Sequence, residues 1–411
     1  MRDTDLYKAI LGLHEPWFIT NVDLDPKAET VTVHVDVPPG TMFQCPQCKS
    51  SDCPVYDSRP RKWRHLDTCQ FKTFIEAPLP RINCSGCGVK TINPPWAEGH
   101  SRFTLMFERF VIDALKEMSM QGASRLFGLS WDQIDSIVQR AVRRGLHRRD
   151  LGQLKRIAID EKCIGSGQNS YITIVSDLET SKVVWVGKDR RRDTLDQFFY
   201  MIGPNACSQI ECICMDMWRP FQSSCRKWIA DADAKTVLDR FHIEKHLGEA
   251  VDLVRKQEQR ELMRQGDDRL KGSKWDWLTR REHLDEVRLA RFDDLRKSDL
   301  RTARAWALRE NFRHIWSFEK RAFAAAHFDR WHEWATRSGL LPMQRVAKRL
   351  KTHLNRILTY LQFRVTNAKA EGINNKIQTI KKKAYGFRNV DRLINMIYFH
   401  CSGLNLYPDP L

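Results

Sequence analysis

Two apolar runs in this chain end in an acid: Arg156-Ile-Ala-Ile-Asp160-Glu161 and Glu211-Cys-Ile-Cys-Met-Asp216-Met-Trp218. A strand of that kind delivers a carboxylate to one edge of a sheet, where a second strand sets another beside it. Two such acids repel unless a cation sits between them, and Mg2+ (or Mn2+), which prefers oxygen ligands, is the natural occupant. Two divalent ions about 4 Å apart activate a nucleophile, stabilise a leaving oxygen and align both on phosphorus. A third acid, Glu371, stands in the helix-like stretch Asn367-Ala-Lys-Ala-Glu371-Gly-Ile-Asn374-Asn375-Lys376, which leads into Lys381-Lys382-Lys383. Taken singly, each acid reads more readily as a cap or a surface ion pair, and Glu161 and Asp177 are rivals for the same role.

A second constellation is made of thiols. Cys45-Pro-Gln-Cys48 and Cys84-Ser-Gly-Cys87 each present two cysteines on a tight turn, the geometry that supplies two corners of a tetrahedral Zn2+ site. Closed by four thiolates, such an ion has no open position and serves the fold, not the chemistry. The alternative is that these cysteines are merely buried or redox-active. Cys53, Cys69 and His65 lie in the same module, as spare thiols and a hydrogen-bonded histidine or as substitute ligands.

The third constellation is basic. Met120-Gln-Gly-Ala-Ser-Arg-Leu-Phe-Gly128-Leu-Ser130-Trp-Asp-Gln133-Ile134 reads as a short helix, a glycine turn and a second helix opened by a capping box from Ser130 to Gln133. Arg140, Arg143, Arg144 and Arg148 follow at and beyond this second helix, a positive field suited to DNA phosphates. An ordinary helical hairpin produces the same pattern. Arg190, Arg191 and Arg192, together with Lys376, Lys381, Lys382 and Lys383, form further basic clusters that suit a DNA backbone or a solvated charged face equally.

These clusters need a scaffold. The 411 residues allow two to four domains, and 68 basic against 51 acidic residues, a formal net charge of +17, point to a polyanionic partner, nucleic acid before any other. The beginning, MRDTDLYKAI, lacks the basic-then-apolar pattern of a signal peptide, and no apolar run reaches the ~20 residues of a membrane span. A soluble, cytoplasmic protein with reduced cysteines is therefore expected, associated with the nucleoid when bound to DNA.

Strand-like alternation at 15–38, a turn at Asp25-Pro26 and the cysteine pairs define a β-rich zinc-binding domain at 1–98. Helical periodicity from Ser101 gives a helix-turn-helix domain at 99–150. Over 151–245 strands and helices alternate, opening with a three-stranded meander (RIAID, YITIVSD, KVVWVG) and continuing through IECICMD and AKTVLD. Strands then disappear. Residues 246–362 read as an all-helical insertion in which Trp275, Trp277, Trp306, Trp316, Trp331 and Trp334 are core or, less readily, base-stacking platforms, and Val346, Leu350, Leu354, Ile357 and Leu361 form one helix stripe. Residues 363–411 carry Glu371 and a last helix pair, completing a fold that combines α+β and α/β parts.

The tract around Glu371, through Tyr385-Gly386-Phe387-Arg388-Asn389, resembles the final catalytic-acid signature of the ISL3 family of insertion-sequence transposases, and Asp216-Met-Trp-Arg-Pro220-Phe resembles its second-acid motif. The resemblance covers nearly the whole chain in the same order. It implies a catalytic domain like that of RNase H, interrupted by the helical insertion, with Asp160, Asp216 and Glu371 as the DDE triad. It also implies an enzyme that binds the terminal inverted repeats of its element and cuts and joins double-stranded DNA, without a nucleotide cofactor. Asp239-Arg-Phe-His242 resembles an Asp-x-x-His element of related transposases, so Asp239 and His242 either support the site or cap a helix. Bringing two element ends together implies a dimer or higher assembly on DNA. The competing functions are a zinc-containing helix-turn-helix repressor without catalysis and a nuclease without strand transfer.

Overall fold

The computed structural model describes residues 2–165, 170–365 and 368–409, so Asn367, quoted in the third-acid tract, lies outside the described residues. Two compact units result: Met1–Arg149 with Thr379–Leu411, and Asp150–Gln378.

In the first unit α1 (Asp3–Ile10) precedes a hairpin of β1 (Phe18–Asp25) and β2 (Thr30–Asp36). The carboxylate of Asp25 caps the turn by accepting the N–H groups of Lys27 and Ala28. β3 (Met42–Phe43), β4 (Cys53–Arg64), β5 (Lys72–Cys84) and β6 (Gly88–Thr91) complete a six-stranded sheet in the order β1-β2-β5-β4-β3, with β6 on β5. Its apolar centre is a file of three buried tryptophans, in which Trp96 meets Trp17 and Trp63 edge-to-face at 4.8 and 5.4 Å.

Three helices follow: α2 (Leu105–Glu117), α3 (Met120–Phe127) and α4 (Trp131–Arg148). Gly128 ends α3 in the left-handed region at φ 62°, and the capping box opens α4, Ser130 Oγ accepting from the N–H of Gln133 at 3.2 Å while Gln133 Oε1 accepts from that of Ser130 at 2.8 Å. Ile134, Ile137 and Val138 are fully buried on the inner face of α4.

The second unit opens with β7 (Arg156–Cys163), β8 (Tyr171–Asp177) and β9 (Lys182–Lys188), the expected antiparallel meander. After α5 (Arg192–Ser208) come β10 (Cys212–Met215), α6 (Arg219–Trp228), α7 (Ala232–Lys235), β11 (Thr236–Leu238) and α8 (Arg240–Arg264). β10 lies parallel to both β7 and β11, so the sheet order is β11-β10-β7-β8-β9 and β7 is its centre. β7, β8, β9 and β10 carry nearly continuous buried runs, as strands covered on both faces should.

The insertion is helical as expected: α9 (Lys274–Leu278), α10 (Glu286–Lys297), α11 (Arg301–Arg313), α12 (Arg321–Arg337), α13 (Leu341–Thr352) and α14 (Leu354–Phe363). Trp277, Trp316 and Trp331 are core, whereas Trp275 and Trp334 face solvent. The apolar stripe from Val346 to Leu361 is not one helix. It breaks at His353 (φ −111°, ψ 8°), where Arg356 donates to His353 Nδ1, Asp233 and Gln222 and so re-aims α14.

α15 (Ala368–Lys383) and α16 (Val390–Cys401) close the chain. Residues 363–411, expected to belong wholly to the catalytic domain, are in fact divided: through Gln378 they lie in the second unit and from Thr379 in the first. The cause is the apolar face of α16, with Leu393, Met396 and Ile397 buried, which packs on α4. No helix among the described residues is long and apolar enough to cross a membrane.

Candidate active site and DNA-binding elements

Parallel pairing of β10 with β7 sets Met215 opposite Ile159, so Asp216, just past the end of β10, neighbours Asp160, which lies midway along β7, a strand that runs on to Cys163 and does not end at the acid as its sequence suggests. Each acid folds one oxygen back on its own backbone: Asp160 Oδ1 accepts from the N–H of Glu161 at 2.8 Å and Asp216 Oδ1 from that of Met217 at 2.5 Å. The second oxygens face other elements. Asp160 Oδ2 accepts from Asn374 Nδ2 on α15 at 2.6 Å, and Asp216 Oδ2 lies 3.5 Å from His242 Nδ1 on α8. His242 Nε2 is in turn 3.6 Å from Asp239 Oδ2. Asp239 caps α8, accepting from the N–H of Phe241 at 3.0 Å, while its Oδ2 faces His242.

Glu371 stands one turn before Asn374 on α15 and is half-buried. Burial raises its carboxyl above the ordinary range, the negative charges of Asp239 and Asp160 add to the rise, and His242 opposes it. Glu371 thus shares one electrostatic neighbourhood with Asp160, Asp239 and His242. Among the described residues the thiols of Cys45, Cys48, Cys84 and Cys87 are the one group of three or more potential ligand atoms gathered within 4.8 Å of one another. The carboxylates of Asp160, Asp216, Asp239 and Glu371, with Glu161 Oε2 and Asn374 Oδ1, two buried acceptors that have no hydrogen-bond donor among the described residues, form an oxygen-rich set that suits hard divalent cations.

Glu161, the rival acid, is a neighbour of Asp160 and Asp216. Burial raises it, Asp216 and Asp160 raise it further, and Arg190 opposes the rise through a hydrogen bond to Oε1 at 2.9 Å. The Arg190 guanidinium carbon lies over the rings of Tyr171 (3.9 Å) and Trp218 (4.5 Å), while Trp218 Nε1 donates to the Arg190 carbonyl. Asp177, the other rival, caps a turn at the far end of β8 by accepting from Glu179 and Thr180. Arg191, exposed and paired with Asp189, and Arg192, 3.9 Å from Asp196, remain at the surface.

In the first unit the Sγ atoms of Cys45, Cys48, Cys84 and Cys87 all lie within 4.8 Å of one another, and Cys48 and Cys84 are 3.6 Å apart. A Zn–S bond of about 2.3 Å implies a tetrahedral edge of about 3.8 Å, so the cage fits the ion. Left-handed residues Lys49 (φ 64°) and Gly88 (φ 70°) let each turn fold back on its first cysteine. Backbone N–H groups lower the thiols of Cys45 and Cys84, the latter to about 6 through Gly86. Cys53 sits beside the cage but burial raises its thiol and its Sγ points to the Ser50 carbonyl, while Cys69 is exposed elsewhere. His65 is a structural histidine, buried on Thr104 Oγ1 at 2.9 Å and lowered by burial to about 4.

Along α4 the basic residues divide. Arg140 donates to the fully buried Glu108, and Arg144 pairs with Glu98 and Glu108 and donates to the Leu406 carbonyl. Arg148 holds the Tyr407 carbonyl and Asp409. These three, expected to contact DNA, are spent on tying α4 to α2 and the C-terminal segment, because they sit on its inward-turning face. Arg143 is exposed, as are Ser130 and Gln133, whose side chains close the capping box. Lys376, Lys382 and Lys383 are also exposed on α15.

Residues 157–397 match the ISL3 family of DDE transposases, residues 92–142 the helix-turn-helix domain of transposase family ISL3, and residues 42–87 the zinc-finger of transposase IS204/IS1001/IS1096/IS1165. The transposase for insertion sequence element IS1001 of Bordetella parapertussis is 27% identical over 356 residues, 86% of this chain and 87% of its own. That for IS1557 of Mycobacterium tuberculosis is 27% identical over 439 residues, 98% of this chain and 96% of its own. The Drosophila P element transposase strand transfer complex is a fainter likeness, with a TM-score of 0.41 at 13% identity over 75% of this chain and 94% of that one.

Proposed function

The chain belongs to the ISL3 family of transposases, and from that premise we propose that Asp160, Asp216 and Glu371 carry out cleavage and strand transfer at the terminal inverted repeats of its insertion sequence. The observation that carries this reading is the juxtaposition of Asp160 and Asp216 on adjacent parallel strands, with Glu371 on α15 sharing the electrostatic neighbourhood of Asp160. Asp160, Asp216 and Glu371 would hold two Mg2+ ions. When bound, such ions activate water and neutralise charge on the leaving oxygen.

The chain's own residues orient the acids. The Glu161 and Met217 N–H groups fix the carboxylates of Asp160 and Asp216, and His242 spans Asp216 and Asp239. Arg190 opposes the rise of the Glu161 carboxyl beside them. In the first step water attacks the phosphodiester at the element end, the bond from phosphorus to the 3′ oxygen breaks, and a 3′-hydroxyl is released. In the second that hydroxyl attacks a target phosphodiester, and one bond forms as another breaks. No ATP is needed. Arg143, the exposed residues of α4 and the lysines of α15 supply DNA contacts, Zn2+ at Cys45, Cys48, Cys84 and Cys87 holds the N-terminal module, and two protomers or more assemble on paired ends.

The test is incubation of the full chain with DNA carrying the terminal repeats and Mg2+, beside Asp160→Ala, Asp216→Ala and Glu371→Ala. Wild type is expected to cleave and join, and all three variants to bind and do neither. Binding without cleavage by wild type would establish a repressor, and cleavage without joining a nuclease.

A further inference from the structure

The third acid of this site arrives on a helix that follows the whole helical insertion, and α15 must be docked on the sheet for Glu371 to act. We propose that Asn374 is the positioning residue that does this, which rests on Asp160 and Glu371 forming the metal site. Its Nδ2 donates to Asp160 Oδ2 at 2.6 Å, a contact that joins positions 214 residues apart. Glu371 and Asn374 are three residues apart on one helix, hence on one face with Cβ atoms about 5–6 Å apart. Fixing Asn374 therefore fixes the height and rotation at which Glu371 meets the site.

The chemistry of an amide suits this place better than a charge. A lysine or arginine at 374 would pair with Asp160 and compete with any cation for it, whereas a neutral donor occupies one lone pair of Oδ2 and leaves another free. With Oδ1 held by the Glu161 N–H and Oδ2 by Asn374, the carboxylate of Asp160 is locked in rotation before a cation arrives. The other end of the amide supports the same assignment. Asn374 Oδ1 is buried and has no hydrogen-bond partner among the described residues, although buried acceptors are normally satisfied. Beside a set of carboxylates, that oxygen is placed to accept from the hydration shell of a bound divalent ion.

Groups that orient ligands in this way typically change metal affinity or activity 10- to 100-fold when removed. The experiment is titration of Mn2+ into the DNA-free full chain, read by electron paramagnetic resonance, for wild type, Asn374→Ala, Asn374→Leu and Asp160→Ala, with thermal unfolding and DNA binding measured alongside. Asn374→Leu keeps the volume and removes the amide. Both Asn374 variants are expected to bind Mn2+ about 10- to 100-fold more weakly, with unchanged DNA affinity and with cleavage restored by excess Mn2+. Asn374→Leu binding Mn2+ like wild type while Asp160→Ala loses it would overturn the role of Asn374 alone. Undiminished Mn2+ binding by Asp160→Ala would instead remove the metal-site reading beneath it.

Discussion

Addition of Mg2+ should stabilise the Asp150–Gln378 unit, and replacing Glu371 by glutamine should remove much of that response while making the metal-free protein more stable. Burial and the charges of Asp239 and Asp160 raise the Glu371 carboxyl, so the folded state holds its proton more tightly than the unfolded chain does. Stability from this group is fully present below the ordinary glutamate pKa of about 4.3 and is lost as pH rises through the higher folded value. At neutral pH the ionised Glu371 is therefore a destabilising charge in the absence of metal, and Glu371→Gln should raise the melting temperature there, with the gain vanishing below about pH 4. Metal reverses the balance. At ten times its dissociation constant a ligand that binds only the folded state adds about 1.4 kcal/mol, and each further tenfold about as much again. For a unit of this size that is roughly 3–6 °C in melting temperature. Differential scanning fluorimetry with and without Mg2+ at pH 4 and pH 7.5 reads all of this. An identical Mg2+ response in wild type and Glu371→Gln, or a glutamine variant less stable at pH 7.5 than at pH 4 relative to wild type, would refute the reasoning.

Zinc should be found at one equivalent per chain by elemental analysis, retained in Cys53→Ser and lost in Cys84→Ser, whose N-terminal module should unfold because structural zinc contributes folding energy outright. Glu108→Ala strands Arg140 and Arg144 without their buried partner and should cost about 3–5 kcal/mol in denaturant unfolding. Arg143→Ala should leave stability unchanged and lower the slope of log K against log salt for DNA binding by about 1. Arg190→Ala removes the cation that opposes the rise of Glu161, so the acidic limb of the cleavage pH profile should move to higher pH. Lysine should not restore it, since it lacks the planar guanidinium that stacks on the rings of Tyr171 and Trp218.

Much of the scaffold was legible from local pattern. The runs RIAID, YITIVSD and KVVWVG, the capping box at Ser130 and the two cysteine knuckles are signals contained within a few residues, and each formed the element expected of it. Long-range pairing was hidden. Whether an arginine on α4 faces DNA or a buried glutamate depends on where Glu108 and the Leu406 carbonyl lie, and no spacing along α4 reveals that for Arg140, Arg144 or Arg148. The division of 363–411 has the same cause: α16 carries an apolar face, but the sequence does not name α4 as its partner. His353 interrupts a stripe with faultless periodicity because Arg356 finds Asp233 on another element. Around the acids, Asp216 follows the end of its strand as its sequence suggests while β7 runs on past Asp160 to Cys163, and Asn374 and the Glu161–Arg190 pair became visible only when α15 and the meander were assembled. Asn374 did carry one signal, its place one turn from Glu371 on the same helix face.

Anomalous scattering from Mn2+ in crystals of the full chain bound to a terminal-repeat DNA end would locate the ions that the three acids hold. Mn2+ is expected at about 2.1 Å from oxygens of Asp160 and Asp216, with Glu371 completing the coordination beside the scissile phosphate. Mn2+ bound elsewhere, or held by Asp160 and Asp216 while Glu371 stays outside the coordination shell with DNA in place, would contradict the assignment of the three acids.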